Sequence, residues 1–270
     1  MTFTRIRRGV RGALLALSLL PAHEVAAHGV SLEIHHPQPA DSAFHRNFLV
    51  PWTQKVEQDA GGRMRFHPHP TSTSGGATGL YDQVQAGDID VAWTRIRTSP
   101  AQFPRMSVVE FPFTVRRAHG ASRAVSEFVR TNDLSDRDFD GVRLLAVHVG
   151  DGSQLHWGSA IAEPPADVKG RRVAAATPGD AAMLAAMGAV PVEIPLPKMA
   201  EAMSGGSVDG ALLSWSDAQA AGVDRAARSH TEFGPGNGGL ASSLFALVMS
   251  SGSFGALADD LKTVVNANSG

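Results

Sequence analysis

Cysteine is absent from the 270 residues, which excludes disulfides and thiol chemistry. Tyrosine is nearly absent, Tyr81 being the only one. No excess of charge is present either. The 24 Lys and Arg face 26 Asp and Glu, a net charge of −2 at pH 7, and no basic stripe points to nucleic acid as a partner. None of H-E-x-x-H, G-x-S-x-G or G-x-G-x-x-G occurs, despite eleven histidines. The chain is therefore expected not to be an enzyme, and no cofactor is implied. No repeat of roughly 20–50 residues is evident.

The N-terminus is more positive evidence. Arg5, Arg7, Arg8 and Arg11 precede an apolar run at 13–20, and Val25-Ala26-Ala27 has the small residues of a cleavage site. These parts, in this order, make a secretory signal. The apolar run is too short to cross a bilayer, which takes ~20 residues. Residues 1–27 are expected to be removed, leaving a protein that begins near His28 in the periplasm.

The most informative stretch is DVKGRRVAAATPGDAAMLAAMGAVPVEIP at 167–195. It reads as strand, turn, helix and strand. Thr177 can cap the helix, Pro178 suits its first position and Asp180 can close a capping box. Met183, Leu184 and Met187 give it one apolar face, and Gly188 ends it. A βαβ unit implies a parallel pair with a right-handed crossover. The helix start then lies at the carboxyl end of a strand, where open α/β sheets bind ligands.

Before this unit, strands are expected at 30–35, 63–66, 88–93 and 142–149, with helices at 42–58, 80–85 and 121–129. Phe44, Phe48, Trp52 and Val56 should form one buried stripe, kinked at Pro51. After it come strands at 208–214 and 244–249 and a helix from 257. Two clusters of βαβ units suggest two α/β lobes, each a mostly parallel sheet flanked by helices, with a ligand cleft between them.

The ordered set LEIHHPQPADSAFHRNFLVPW, LYDQVQAGDIDVAW, FPR…EFPF, LAVHV, DVKGRRV, MLAAMGAVPVEIPLP, SVDGALLSW and FALVMSSGSFGALADDLKTVVNANSG covers essentially the whole chain after residue 27. It resembles the extracytoplasmic solute receptors of TRAP transporters, the DctP-like periplasmic proteins of dicarboxylate type. The resemblance implies a receptor that closes around a small organic acid and delivers it to TRAP membrane permease subunits. A sensing role and a degenerate receptor without a transport role are the alternatives, with a periplasmic enzyme behind them. The implied layout is a first lobe at 28–145 with a return segment near 232–250, and a second lobe at 146–231 with 251–270. The family continues past Asn268-Ser269-Gly270, so the chain is read as lacking the usual C-terminal helices.

Departures from the family fall where its ligand is held. The arginine that usually pairs with the ligand carboxylate is replaced by Ala174, and a second arginine by Pro178. Ser216 stands where an acidic residue is usual. Anion anchoring is therefore expected to have moved to Arg95 and Arg97, which follow Trp93 at a strand end, or to Arg172, two residues before Ala174 on one strand face. The plainer reading makes these arginines solvated cations. Trp93, Trp215, His36 and His156 are expected to border the cleft, either touching ligand or serving as packed and hydrogen-bonded structural residues. His67 and His69, with Pro68 and Pro70, lack a third ligand at a diagnostic spacing, so no metal site is expected.

Overall fold

The computed structural model describes residues 29–70, 79–96, 103–160, 168–233 and 238–270. The expected signal segment and Arg97 lie outside them. In the first third, β1 (Val30–His36) leads through a π-helical turn (His45–Leu49) into α1 (Val50–Asp59). Then follow β2 (Met64–Pro70), α2 (Leu80–Ala86) and β3 (Val91–Arg95), and next α3 (Ala118–Thr131), α4 (Leu134–Arg137) and the long β4 (Val142–Trp157). The second lobe holds β5 (Arg172–Ala175), α5 (Pro178–Ala186), β6 (Val190–Glu193), α6 (Met199–Ser204), β7 (Gly210–Ser214), α7 (Trp215–Ala221), α8 (Val223–Ala226) and β8 (Ser229–Thr231). The chain returns through β9 (Ser242–Ser250) to α9 (Ser251–Ala256) and α10 (Asp259–Ala267).

The strands run in the order β2-β1-β3-β9-β4-β7-β5-β6, with β8 also on β4. Both outer groups are parallel, β2-β1-β3 and β7-β5-β6, whereas β9 and β4 run antiparallel to their neighbours. The βαβ unit forms as its sequence dictates. Thr177 Oγ1 accepts the Asp180 amide at 3.1 Å, and Pro178 opens α5.

β4 belongs to both lobes. Its first part pairs with β9 as far as Gly152, and its last five residues, from Ser153, pair with β7. The division is drawn inside this strand, where its partner changes from β9 to β7, and not at 145, where the ladder shifts register but resumes with the same partner at Ala146. The segment 251–270, expected in the second lobe, packs on the first. Leu257, Leu261 and Val265 join Leu32, Ile34 and Met64 in one core, and Trp52 Nε1 donates to the Asn268 carbonyl at 2.9 Å. The reason is local: β9 ends in the first-lobe sheet, and the i, i+4 pair Leu261 and Val265 covers its open face.

The expected stripe on the first helix is also shifted. Ser42 caps it, accepting the His45 amide at 3.2 Å. The π turn then inserts one residue, with the Val50 amide donating to His45 O. Leu49 is consequently fully buried while Phe48 is 38% exposed. Pro51 then falls in the first turn of α1, where its missing N–H costs little.

The crossing from the second lobe back to the first is tight. The Leu240 amide donates to Ser153 O at 2.8 Å, and a Cβ on Gly152 would lie 0.8 Å from Gly238 O. Gly152→Ala should therefore lower stability by about 3 kcal/mol or abolish cooperative melting. Gly255→Ala, where nothing lies within 4 Å, should not. Equal melting temperatures for the two variants would show that the crossing is not constrained.

Candidate ligand cleft

The loop that leaves the carboxyl end of β1, and the end of β3 itself, face the start of α7 across the bend of β4. Between them is a cavity of about 600 Å³. Its first-lobe wall is aromatic. Trp93 is 3% exposed and stacks on Phe44 at 3.7 Å and on Phe245 at 4.4 Å between ring centroids. The sequence places both partners simply: Trp93 and Phe245 sit on the antiparallel β3–β9 ladder, and Phe44 opens the first helix. His148 on β4 completes the stack, 5.3 Å from Phe245, and its Nε2 accepts the Trp93 indole N–H at 2.8 Å. A ring that accepts at Nε2 is neutral, and burial accordingly lowers the His148 pKa from the usual histidine value.

The opposite wall is the start of α7. Ser214 Oγ accepts the Asp217 amide at 3.1 Å. Asp151, from the bend of β4, accepts Ser216 Oγ at 2.6 Å and the Ser216 amide at 3.2 Å. Asp217 itself is 5% exposed and is clasped from the other lobe. Its Oδ1 accepts Gln38 Nε2 at 2.9 Å, and its Oδ2 accepts Arg95 Nη2 at 2.7 Å. Two guanidinium groups, Arg46 and Arg225, also line the cavity. Neither side chain has a hydrogen bond or ion pair among the described residues.

Of the sequence candidates, Trp93 and Arg95 are brought to this cleft, Trp93 as wall and Arg95 in the interlobe ion pair. Arg97 lies outside the described residues. Arg172 is exposed on the far side of β5, where it binds Asp209 at 2.8 Å and the Gly206 carbonyl at 2.9 Å. His36 lies one layer behind the wall, edge-on to Phe44 at 5.7 Å and 2.9 Å from His45 Nδ1. Burial, together with His45, pushes its pKa down to about 4. His156 and Trp215 form a separate group with His230. His156 Nε2 faces the Leu213 carbonyl at 3.1 Å and so carries the proton, leaving Nδ1 to accept from His230 Nδ1 at 2.9 Å. Ala174 is fully buried against Met199 and Met203, where a charged side chain has no outlet.

Sequence reasoning passed over Gln38, Phe44, Arg46, Asp217, Arg225 and Phe245. Gln38 and Asp217 each follow the carboxyl end of a strand, the position that marks ligand contacts in α/β sheets. Phe44 was read as core because its helical spacing suited that role.

Residues 34–269 match the family model of bacterial extracellular solute-binding proteins, family 7, the DctP family. The chain belongs to that family. A TRAP solute binding protein from Rhodoferax ferrireducens T118, in complex with copurified benzoate, is 34% identical and superposes with a TM-score of 0.82, over 89% of this chain and 74% of its own. A marine metagenome TRAP solute binding protein specific for aromatic acid ligands, with 3-hydroxybenzoate, is 29% identical with a TM-score of 0.81, over 90% and 75%. A TRAP periplasmic solute binding protein from Bordetella bronchiseptica, with bound (R)- and (S)-mandelate, is 25% identical with a TM-score of 0.75, over 87% and 74%. The family 7 chain is thus a solute-binding receptor with the two-lobed fold of the TRAP receptors, and among its described residues no helix is long and apolar enough to cross a membrane.

Two outcomes follow from the receptor's cleft. Asp217→Ala removes the acceptor of both cross-lobe bonds, so stability should fall by about 3 kcal/mol and the radius of gyration in X-ray scattering should increase. An unchanged radius would mean that the clasp does not hold the lobes. His148 has a folded pKa below its unfolded one, so its contribution to stability is complete above about pH 6.5 and is lost as pH falls below that value. His148→Gln keeps an acceptor for the indole without the titration. Its melting temperature should decline less steeply on acidification than that of the parent chain.

Proposed function

We propose that the protein is a periplasmic receptor for an aromatic monocarboxylate, which it captures by lobe closure and hands to TRAP membrane permease subunits. The observation that carries this reading is the preassembled wall of Trp93, Phe44, Phe245 and His148 in the interlobe cavity. A flat ring finds a parallel aromatic surface there, whereas a C4-dicarboxylate gains nothing from it. The cavity volume suits a one-ring acid. Benzoate, 3-hydroxybenzoate and mandelate, the ligands of three relatives, are all of this kind.

Arg46 and Arg225, at the cavity wall without a carboxylate partner among the described residues, are the proposed anchors of the ligand carboxylate. Arg95 keeps Asp217 and acts as the closing clasp. Binding and closure need no covalent step, so no turnover of the acid is expected. The N-terminal segment would direct the chain to the periplasm, where such a receptor meets its permease.

A thermal-shift and calorimetric panel tests this. Benzoate, hydroxybenzoates and mandelate are compared with succinate and malate. At 100 times its dissociation constant a true ligand adds about 2.7 kcal/mol of stability. Aromatic acids should raise the melting temperature and C4-dicarboxylates should not. Trp93→Ala should weaken aromatic acid binding by at least about tenfold, near 1.4 kcal/mol, and Arg46→Ala with Arg225→Ala should weaken it further. A response to succinate with none to any aromatic acid would reject the assignment.

A further inference from the structure

The face of the first-lobe sheet opposite the core carries a second cluster of chemistry-bearing side chains. On β1, Leu32 and Ile34 point into the core, so Ser31, Glu33 and His35 occupy the other face. On β2, Met64 and Phe66 point inward, so His67 and His69 share that outer face. The two strands are parallel, with Glu33 beside His67 and His35 beside His69. Adjacent strands lie about 4.8 Å apart, so the histidine run of β2 and the acid–histidine pair of β1 are forced together. The partners that local spacing does not give His69 lie across the ladder.

The metal-ligating atoms of Glu33, His35 and His69 all lie within 4.8 Å of one another. The His35 and His69 rings stack at 4.9 Å, and His69 Nε2 directly faces Glu33 Oε2. Ions of this class bind nitrogen and carboxylate oxygen at about 2.0–2.2 Å, which sets ligand atoms roughly 3.4 Å apart in a tetrahedron. Side-chain rotation alone covers the difference. The backbone is already fixed. The Glu33 amide donates to Asp90 Oδ2 at 2.9 Å, and Pro68 and Pro70 flank His69 and restrict its strand. Prolines are admissible here because β2 is an edge strand. The Phe66 amide, in the same phase, points away from β1 to Glu57 Oε1 at 2.8 Å. His67 turns instead to Ser31 Oγ at 2.8 Å and stays outside the set.

We propose that Glu33, His35 and His69 form a binding site for one divalent first-row transition ion, zinc, nickel or copper, on the outer face of β1 and β2 and apart from the ligand cleft. Two imidazoles and one carboxylate suit these ions and not calcium or magnesium, which prefer all-oxygen sites. The remaining coordination positions open to solvent, because His69 is exposed. The site lies on the strand that leads to Gln38, three residues beyond His35, and so adjoins the segment that clasps Asp217.

Calorimetric titration of zinc chloride and of nickel chloride into the purified, untagged, chelator-treated protein tests the site. One ion per chain should bind in the micromolar range and raise the melting temperature, while magnesium and calcium chloride produce neither effect. His69→Ala, an exposed change that leaves the core intact, should weaken zinc binding by at least about tenfold. His35→Ala should do the same, and His67→Ala should leave it unchanged. Copper(II) paramagnetic resonance should show coupling to two imidazole nitrogens in the parent chain and to one in His69→Ala. Absence of saturable binding at millimolar zinc and nickel overturns the proposal. So does unaltered affinity in His69→Ala.

Discussion

One strand, β4, hydrogen-bonds into both sheets, and the rest of the molecule is arranged by that constraint. Its ladder with β9 is irregular between Leu144 and Ala146 and again between Val149 and Gly152. Each break releases backbone pairing and lets the strand bend. The second break lies where pairing passes from β9 to β7. His148, Val149, Gly150 and Asp151, which precede or occupy it, line the cleft. The floor of the cavity is therefore the stretch where β4 passes from one lobe to the other. In the proposed reading, a ligand on His148 would touch the stretch that joins the two lobes.

The electrostatics of the cleft follow from how its carboxylates are used. Asp151 is held by the hydroxyl and amide of Ser216, and Asp217 by one first-lobe donor on each oxygen. A buried carboxylate is tolerable only when its oxygens are satisfied in this way. Both negative charges are thus committed to holding the structure together. The cations that line the same space, Arg46 and Arg225, are not so committed. An acidic ligand would consequently meet one ion-paired and one hydrogen-bonded carboxylate together with the guanidinium groups of Arg46 and Arg225.

Much of this architecture was legible in the sequence. The βαβ unit, with Thr177 and Pro178 at its helix start, forms as written because capping and periodicity are local. The family resemblance and the two lobes were legible for the same reason, since they rest on ordered local segments. What the sequence hid depends on distant pairing. The π turn before Pro51 replaces Phe48 by Leu49 in the core, which no 3.6-residue pattern anticipates. The placement of α10 on the first lobe depends on where β9 ends. Arg95 was singled out as a cation at a strand end, but its partner Asp217 is 122 residues away. Arg172 was placed by strand alternation, whereas Asp209, beside it on the surface, accounts for its orientation.

The change at Ala174 and the aromatic wall are connected by geometry. Ala174 pairs in register with Ala211 beneath Met199 and Met203, so this part of the second lobe offers small apolar groups where the resemblance implies a guanidinium. Recognition of the ring in the proposed reading then comes from the first lobe, which presents a stack already in contact, with Trp93 and Phe245 only 4° from parallel. The indole cannot rotate without losing its bond to His148, so the wall is rigid before any ligand arrives. Rigid stacking surfaces lower the entropic cost of ordering a ring and offer no such gain to a flexible chain. A second lobe without its usual arginine is therefore consistent with a receptor whose selectivity rests on ring shape, with charge supplied from the rim.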